Sequence, residues 1–164
     1  MKAGILTISD RGAKGEREDR SGPAVREMIE AAGGEIVRTA IVPDEPDEIR
    51  AALVAWSDEG LELVLTTGGT GFSPRDRTPE ATRAVIERET PGIPEAMRRA
   101  GLERTPTAML SRGVAGIRKS TLIVNLPGSE RAVRESLAAI LPALGHGLDV
   151  LKGAASECGE PHRR

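Results

Sequence analysis

Small and acidic residues cluster in one stretch of the chain, and their types suit chemistry on phosphate groups. The stretch Thr66–Gly71 reads Thr-Thr-Gly-Gly-Thr-Gly and follows an apolar run. Glycines at such a position remove side-chain bulk, so that successive N–H groups can turn toward an anion. A tight turn without a ligand explains the same residues equally well. Asp76 favours the phosphate interpretation, because Mg²⁺ prefers one or two carboxylates together with phosphate oxygens and water.

The nearby carboxylates have structural interpretations as well as functional ones. Asp44 follows another apolar run and precedes Pro46, a position typical of a helix cap. Asp44 could also point into the crevice as a second carboxylate that binds metal or substrate, although position alone favours the cap. Asp76 is the metal carboxylate, a helix cap or the ion-pair partner of Arg75.

Several familiar catalytic patterns are missing from the sequence. Lys119-Ser120 follows isoleucine and arginine instead of glycine, so it does not end a phosphate-binding P-loop. No Gly-x-Gly-x-x-Gly follows the first apolar run, which argues against a dinucleotide cofactor. The histidines, His146 and His162, lie far from the glycines in sequence and give Ser-His or Cys-His catalysis little support. Phosphoryl or nucleotidyl transfer remains, because positioning and charge stabilisation supply most of its catalysis.

The elements that must position these residues follow from hydrophobic periodicity. Runs without helical period predict four buried parallel strands, at Ala3–Ser9, Ile36–Val42, Leu61–Thr67 and Thr121–Asn125. Segments with helical spacing lie between them, which predicts an α/β fold with three layers: an open, mostly parallel sheet with helices on both faces. Ligands bind outside the carboxyl ends of such strands, where the glycines and both aspartates stand.

Helix boundaries are predicted from prolines, glycines and capping residues. Ser21 or Gly22 before Pro23, and Thr78 before Pro79, have the form of a cap followed by a first-turn proline. Gly33-Gly34 and Gly60 are expected to end the first two helices, and Ser129 to cap the last. Pro142 with Gly145 and Gly147 is expected to interrupt that last helix. Residues 89–120 combine helical pieces around Pro94–Leu102 with a hairpin or extra strand at Arg112–Ile117.

Composition limits the classes of partner. The 164 residues fit one domain, assigned to 1–152, followed by a polar tail at 153–164. A net charge of −2 and only two aromatic residues, Trp56 and Phe72, argue against nucleic-acid binding. A single cysteine, Cys158, makes no intramolecular disulfide, which favours the cytoplasm. We expect neither a signal peptide nor a membrane span.

Charge is unevenly distributed along the chain despite the small total. Residues 44–59 carry five net negative charges and residues 98–119 carry five net positive charges. Most of these are interpreted as solvated helix faces. Arg112, Arg118 and Lys119 are exceptions, because an anion or a neighbouring subunit could meet them on an irregular segment.

The motifs together resemble the MogA/MoaB family of molybdopterin-binding proteins. The similarity runs in the family's order from the first strand to about residue 152, and it rests on Ile8–Arg11, Val42–Glu45, Thr66–Phe72, Pro74–Asp76, Thr78–Thr82, Leu110–Arg112 and Asn125–Ser129. The glycine stretch alone would be a weak signal, whereas the ensemble is strong.

This resemblance implies a molybdopterin adenylyltransferase. Such an enzyme uses Mg²⁺ and ATP to place AMP on the molybdopterin phosphate, releases pyrophosphate, forms trimers or hexamers, and supplies a molybdate-insertion enzyme. By position, Asp44 and Asp76 would be the catalytic and metal-binding aspartates. The implied substrate-binding residues are Ser9, Asp10, Thr67, Gly68, Gly69, Thr70, Gly71, Ser111, Asn125, Pro127, Gly128 and Ser129.

Two other functions remain open at this point: a molybdopterin carrier without catalysis, and a protein of the same fold with another phosphorylated ligand. Arg77 stands where family members often have valine, and either faces solvent or pairs with Asp76. Phe72 either walls the nucleotide crevice or braces the glycine stretch.

Overall fold

A computed structural model describes residues 1–153. The strands are β1 (Lys2–Ile8), β2 (Glu35–Val42), β3 (Leu63–Thr67), β4 (Arg88–Glu89), β5 (Ala115–Arg118) and β6 (Thr121–Leu126). The helices are α1 (Asp10–Ala13), α2 (Ser21–Ala31), α3 (Pro46–Asp58), α4 (Thr78–Arg83), α5 (Gly92–Leu102) and α6 (Glu130–Leu151), with a 3₁₀ helix at Pro106–Leu110. The remainder of the predicted polar tail, with Cys158 and His162, lies outside the described residues.

The strands form one sheet in the order β2-β1-β3-β6-β5-β4. The four predicted strands are parallel to one another; beyond β6, β5 pairs antiparallel with β6, and β4 pairs antiparallel with β5. The extra strand expected near Arg112–Ile117 is therefore β5. Lys119-Ser120 forms the tight turn between β5 and β6, as a segment unrelated to a P-loop would.

Helices cover both faces of the sheet and complete the three predicted layers. Alternate strand residues point to opposite faces, so Ile5 and Leu65 pack with α2, α5 and α6, whereas Leu6 and Val64 pack with α3 and α4. Trp56 lies in the second of these cores, as predicted for a residue on a buried helical face. The mostly parallel α/β fold is confirmed.

The predicted burial of β2 is wrong. This strand pairs only with β1 and forms one edge of the sheet. Its side chains are mostly exposed or half-buried, and Val37 and Ile41 are 38% and 43% exposed. An apolar run identifies a strand, but its place in the sheet depends on the connections that follow.

Two predicted helix caps are also wrong. Asp19, rather than Ser21, caps α2: its carboxylate accepts hydrogen bonds from the backbone N–H groups of Ser21 and Gly22 at 3.0 and 2.9 Å. Thr78 is the first residue of α4, and its hydroxyl donates to the carbonyl of Gly68 at 3.0 Å. Ser129 does cap α6, by accepting from the N–H of Ala132.

The last helix is longer than expected, because α6 continues through Pro142 and the two glycines after it. An interior proline costs a helix about 3 kcal/mol. Ile140, Leu144 and Leu148 nevertheless continue one buried stripe along α6. Burial of each such side chain contributes about 1.5–3 kcal/mol, so the stripe outweighs the proline.

Glycines end the first long helices as predicted. Gly33 and Gly60 have φ values of +79° and +81°, the left-handed conformation that closes a helix. Among residues 1–153, no helix combines the length and the apolar character that a bilayer crossing requires.

Candidate active site

Four loops meet at the carboxyl edge of the parallel strands. They follow β1, β2, β3 and β6, and the parallel register brings them to the same end of the sheet. The Thr67 hydroxyl donates to the carbonyl of Pro127 at 2.7 Å, which joins the loop after β3 to the loop after β6. The predicted site residues on these loops are therefore neighbours in space.

The loop after β3 has a backbone that only glycine supports. We call Gly68–Gly71 the glycine loop. Gly68 and Gly69 have φ values of +100° and +63°. A Cβ atom on Gly68 would lie 2.2 Å from the carbonyl oxygen of Ile8, and one on Gly69 would lie 2.3 Å from the Thr78 hydroxyl.

Every carbonyl of the glycine loop is already bonded to the protein. Thr78 donates from its hydroxyl to Gly68 and from its N–H to Gly69. Arg112 donates from its N–H to Thr70 at 2.9 Å and from Nε to Gly71 at 2.7 Å. Within the described residues, the N–H groups of Gly69, Thr70 and Gly71 have no protein acceptor. The loop therefore offers three consecutive donors to an anion, as predicted for a phosphate cradle.

Arg112 is the residue whose role sequence reasoning missed. It was noted as a possible anion ligand, but its side chain donates to the carbonyls of Gly71 and Asp76 and pairs with Glu80. Arginine carries five donors in a rigid fork, which suits it to fixing two carbonyls and a carboxylate at once. No pattern in the sequence links it to a loop about forty residues away.

The other two basic residues that the sequence singled out as possible anion ligands also form ion pairs within the protein. Arg118 and Lys119 both pair with Asp58, at 3.4 and 2.8 Å. Arg77 is exposed and, among the described residues, forms no ion pair with Asp76. Of the two positions expected for Arg77, facing solvent or pairing with Asp76, the structure shows the first.

Asp10 and Asp44 hold the loops after β1 and β2 together. The N–H of Asp10 donates to Asp44 Oδ2 at 2.9 Å, and the N–H of Asp44 donates to Asp10 Oδ1 at 3.0 Å. Glu45 is the cap residue of α3 and makes no side-chain capping bond. Asp44 is therefore not a helix cap, and its carboxylate belongs to the loop cluster. Ser9 caps the short α1 by accepting from the N–H of Gly12.

These two carboxylates differ in electrostatic setting. Hydrogen bonds from Arg75, and then from the Asp44 N–H, hold the pKa of Asp10 below its ordinary value. Burial raises the pKa of Asp44, and the nearby Asp10 and Asp76 charges raise it further against the opposing hydrogen bond from Asp10. Arg75 bonds Asp10 through two nitrogens at 2.9 and 3.0 Å and also reaches Glu45, so it is not the partner of Asp76.

Asp44 and Asp76 border the glycine loop on its carboxylate side. A Cβ atom on Gly69 would lie 3.1 Å from Asp44 Oδ1, and one on Gly71 would lie 2.9 Å from Asp76 Oδ2. Asp76 Oδ2 accepts from the N–H of Ser73 at 3.0 Å. The Asp44 charge is opposed by burial and by two like charges, so a divalent cation would relieve it. The described residues contain no cluster of three or more metal-ligating side chains, so Mg²⁺ would complete its shell with phosphate and water.

A cavity of about 650 Å³ opens beside Thr70 and Gly71 of the glycine loop, and its lining does not include Asp44 or Asp76 among the described residues. Its walls come from the glycine loop, α5, the 3₁₀ helix, the loop after β6 and the start of α6. Six predicted residues line it: Thr70, Gly71, Ser111, Pro127, Gly128 and Ser129. Its volume lies in the range of small-molecule sites, about 300–1,000 Å³.

Two predicted binding residues are buried under the site instead of lining it. Asn125 is 1% exposed, and its amide donates to the hydroxyls of Thr66 and Thr82 at 3.0 and 2.9 Å. Thr67 is fully buried beneath the glycine loop. Both fix the backbone that carries the donors. Phe72, by contrast, is 67% exposed, so packing does not make it a brace for the loop.

Comparison with known proteins identifies the family. Residues 4–146 match the family model described as "Probable molybdopterin binding domain". The chain is 43% identical over 160 residues to "Molybdopterin adenylyltransferase" from Helicobacter pylori strain J99, covering 96% of this chain and 91% of that protein. It spans 24% to 49% of three longer relatives, among them the "Molybdenum cofactor biosynthesis bifunctional protein" from Chlorobaculum tepidum, with 41% identity over 93% of this chain.

A solved structure agrees with these relatives. The crystal structure of the molybdopterin biosynthesis enzyme MoaB from Thermus thermophilus superposes with a TM-score of 0.89 at 54% identity. The superposition covers 93% of this chain and 96% of that chain. The likeness therefore extends over the sheet and all the loops of the site. The chain belongs to the molybdopterin-binding domain family.

Proposed function

We propose that this chain is a molybdopterin adenylyltransferase, which transfers AMP from ATP to the phosphate of molybdopterin and releases pyrophosphate. The observation that carries the proposal is the glycine loop, whose three N–H donors have no acceptor among the described residues and which borders both a carboxylate pair and a cavity of about 650 Å³. Relatives of nearly the same length that carry the name molybdopterin adenylyltransferase, both from Helicobacter pylori, support it.

The two sides of the glycine loop suit the two substrates. The cavity, with Ser111, Gly128 and Ser129 in its walls, takes the pterin. The side with Asp44 and Asp76 takes the ATP phosphates, and the exposed Phe72 offers a wall for the nucleotide base. Mg²⁺ bound between the aspartates and the phosphates would neutralise negative charge that otherwise opposes the reaction.

The proposed reaction is a displacement at phosphorus. An oxygen of the molybdopterin phosphate forms a bond to the α-phosphorus of ATP, and the bond from that phosphorus to the pyrophosphate oxygen breaks. The N–H groups of Gly69, Thr70 and Gly71 stabilise the charge on the transferred phosphoryl oxygens. The carbonyls of the same three peptide groups, those of Gly68, Gly69 and Thr70, are already fixed by Thr78 and by the N–H of Arg112, so the donors need no rearrangement as charge develops.

Further proposals concern assembly and surroundings. We propose a homotrimer or homohexamer in the cytoplasm, where one cysteine in the whole chain is typical of a reducing compartment. We also propose that a molybdate-insertion enzyme receives the product; a relative named as bifunctional in molybdenum cofactor biosynthesis is consistent with a second activity acting beside this domain.

The proposal is tested with purified protein, molybdopterin, ATP and Mg²⁺, by chromatography of the products. We expect adenylylated molybdopterin and one pyrophosphate per turnover, and no product when Mg²⁺ is chelated. Binding of molybdopterin without any ATP-dependent product would instead establish a carrier.

Replacement of the aspartates tests their assignment. Asp44→Asn and Asp76→Asn each retain an oxygen that can accept the loop hydrogen bond, so we expect little change in unfolding temperature. We expect turnover to fall by about a hundredfold or more, because each change removes charge from the metal and phosphate side. An unchanged rate in either variant would remove that residue from the site.

A further inference from the structure

The cavity beside the glycine loop is lined by an excess of positive charge. Three arginines contribute to its walls, Arg98, Arg104 and Arg131, together with one carboxylate, Glu135. Glu135 pairs with Arg131 at 2.9 Å, which leaves the other two arginines without a carboxylate in the cavity wall. A neutral ligand gains nothing from such a wall, whereas an anionic group does.

Arg98 is the arginine that the protein holds in a fixed orientation. It lies on α5 next to the buried Met97 and is half-buried, whereas Arg104 is exposed. Its Nη1 donates to the carbonyls of Ser111 and Gly113, at 3.4 and 3.2 Å.

Within residues 1–153, Arg98 forms no ion pair with a carboxylate, and its hydrogen bonds go to the two carbonyls. Carbonyls orient a guanidinium but leave its net charge in place. Nε and Nη2 remain as donors, and two neighbouring nitrogens are the geometry with which arginine binds a phosphate.

We propose that Arg98 binds the phosphate monoester of the pterin substrate and makes the cavity selective for the phosphorylated pterin over its dephosphorylated form. This inference rests on the proposed function for the identity of the ligand. Arg98 lines the same cavity as Thr70 and Gly71, so a phosphate that it holds occupies the cavity that the glycine loop borders. Arg98 is thus a specificity-determining residue for the acceptor substrate.

A purely structural role for Arg98 predicts a different result. If Arg98 only held the segment around Ser111 and Gly113, its replacement would weaken every ligand of the cavity equally. Binding of two ligands that differ only in the phosphate separates these roles. The probes are molybdopterin and enzymatically dephosphorylated molybdopterin, and their dissociation constants are measured by calorimetry in the absence of ATP.

We expect the unchanged chain to bind molybdopterin about tenfold to a hundredfold more tightly than the dephosphorylated form, the range for hydrogen bonds to a charged group. Arg98→Gln should lose most of this ratio by weakening only the phosphorylated ligand. Arg98→Lys keeps the charge without the fork and should retain part of the ratio. The matched control is Arg99→Gln, an exposed neighbour on α5 outside the cavity, which should change neither constant.

The readout distinguishes failure of this inference from failure of the proposed function. Equal binding of the two pterins by the unchanged chain, or equal weakening of both by Arg98→Gln, would overturn the role of Arg98. A selective, Arg98-dependent preference in a protein that makes no adenylylated product would preserve the inference and refute the enzyme. Unfolding temperatures of all variants verify that each compared protein is folded.

Discussion

Arg112 illustrates how one side chain can fix the backbone of a loop through contacts within the protein. Its backbone N–H donates to the carbonyl of Thr70 and its guanidinium donates to those of Gly71 and Asp76, which fixes the backbone on both sides of Gly71. The charge that suggested an anion ligand in the sequence is used internally, with Glu80 as its counter-ion. Preorganisation of this kind lowers the cost of binding a phosphate.

Replacing Arg112 should therefore damage catalysis more than stability. Arg112→Gln leaves up to two carbonyls without donors, which we expect to cost about 1–3 kcal/mol of unfolding free energy. We expect kcat/KM to fall by about a hundredfold, because small displacements of positioned groups are costly to reaction rates.

Both quantities are measured, by urea unfolding and by the adenylylation assay. Arg83→Gln serves as the control, since Arg83 makes one exposed ion pair with Glu89 at 3.5 Å. A normal kcat/KM in folded Arg112→Gln would contradict the role assigned to the guanidinium.

At the scale of elements, the glycine loop depends on contact with the strand beside it. Gly68 needs glycine for two reasons, its φ of +100° and the carbonyl of Ile8 at the position of a Cβ. Gly15 has a comparable φ of +70° but open space around it. Comparing substitutions at Gly68 and Gly15 therefore separates the cost of backbone strain from the cost of steric overlap.

We expect Gly15→Ala to cost about 1–2 kcal/mol, the strain of a left-handed alanine. Gly68→Ala should cost about 1–3 kcal/mol more, because the loop must move away from β1. It should also abolish turnover, since the donors move with the loop. Similar unfolding free energies for the two variants would contradict the overlap argument.

The cap of α2 gives the fold a pH dependence. Burial raises the pKa of Asp19, but hydrogen bonds from Gly22, Thr7 and Ser21 outweigh it, so the net pKa lies below its ordinary value. A carboxyl with a lowered folded pKa stabilises the fold above its unfolded pKa and loses that contribution as pH falls through the folded value.

Asp19→Ala should therefore lower the unfolding free energy by about 1–2 kcal/mol at neutral pH. The difference from the unchanged chain should shrink below about pH 4, where the carboxyl is protonated in the unfolded chain. Urea titrations at a series of pH values measure this difference. An equal difference at neutral and strongly acidic pH would show that the charge of Asp19 does not contribute.

Sequence patterns predicted the positions of helices and strands better than the burial and pairing of those elements. Helical spacing and glycine stops located α2 and α3, because these signals are local. The exposure of β2 and the pairing of β5 with β4 depend on the order of strands in the sheet, which is set by contacts distant in sequence. Pro142 was overestimated as a helix breaker for the same reason, since the buried stripe of α6 belongs to tertiary packing.

The site was predictable to the extent that its residues follow strand ends. The glycine loop and both aspartates were located, because parallel strands bring their carboxyl ends together. Asn125 and Thr67 stood in the right segments, but a motif does not indicate which way a side chain points. The contacts of Arg112 and Arg98 were not predictable, since Arg112 fixes a carbonyl about forty residues away and the carbonyls of Ser111 and Gly113 orient Arg98.

At the scale of the whole molecule, the exposed edge strand β2 presents unpaired backbone groups that could pair with another chain. Natural sheets seldom leave a long edge with exposed apolar side chains such as Val37 and Ile41. Light scattering should give three or six times the chain mass of 17.3 kDa if the proposed oligomer forms. A mass of one chain at micromolar concentration would contradict it.

The position of Trp56 determines how this protein can be observed. The chain contains one tryptophan and no tyrosine, and that tryptophan is buried against Gly4 on the face covered by α3 and α4. The cavity is walled by α5 and α6 on the opposite face. The fluorescence of Trp56 therefore reports global unfolding from a single emitter. The chain has no tyrosine and one phenylalanine that could transfer energy to it. Unfolding of each variant can therefore be followed from this one emitter in samples without pterin, whose absorbance overlaps tryptophan emission.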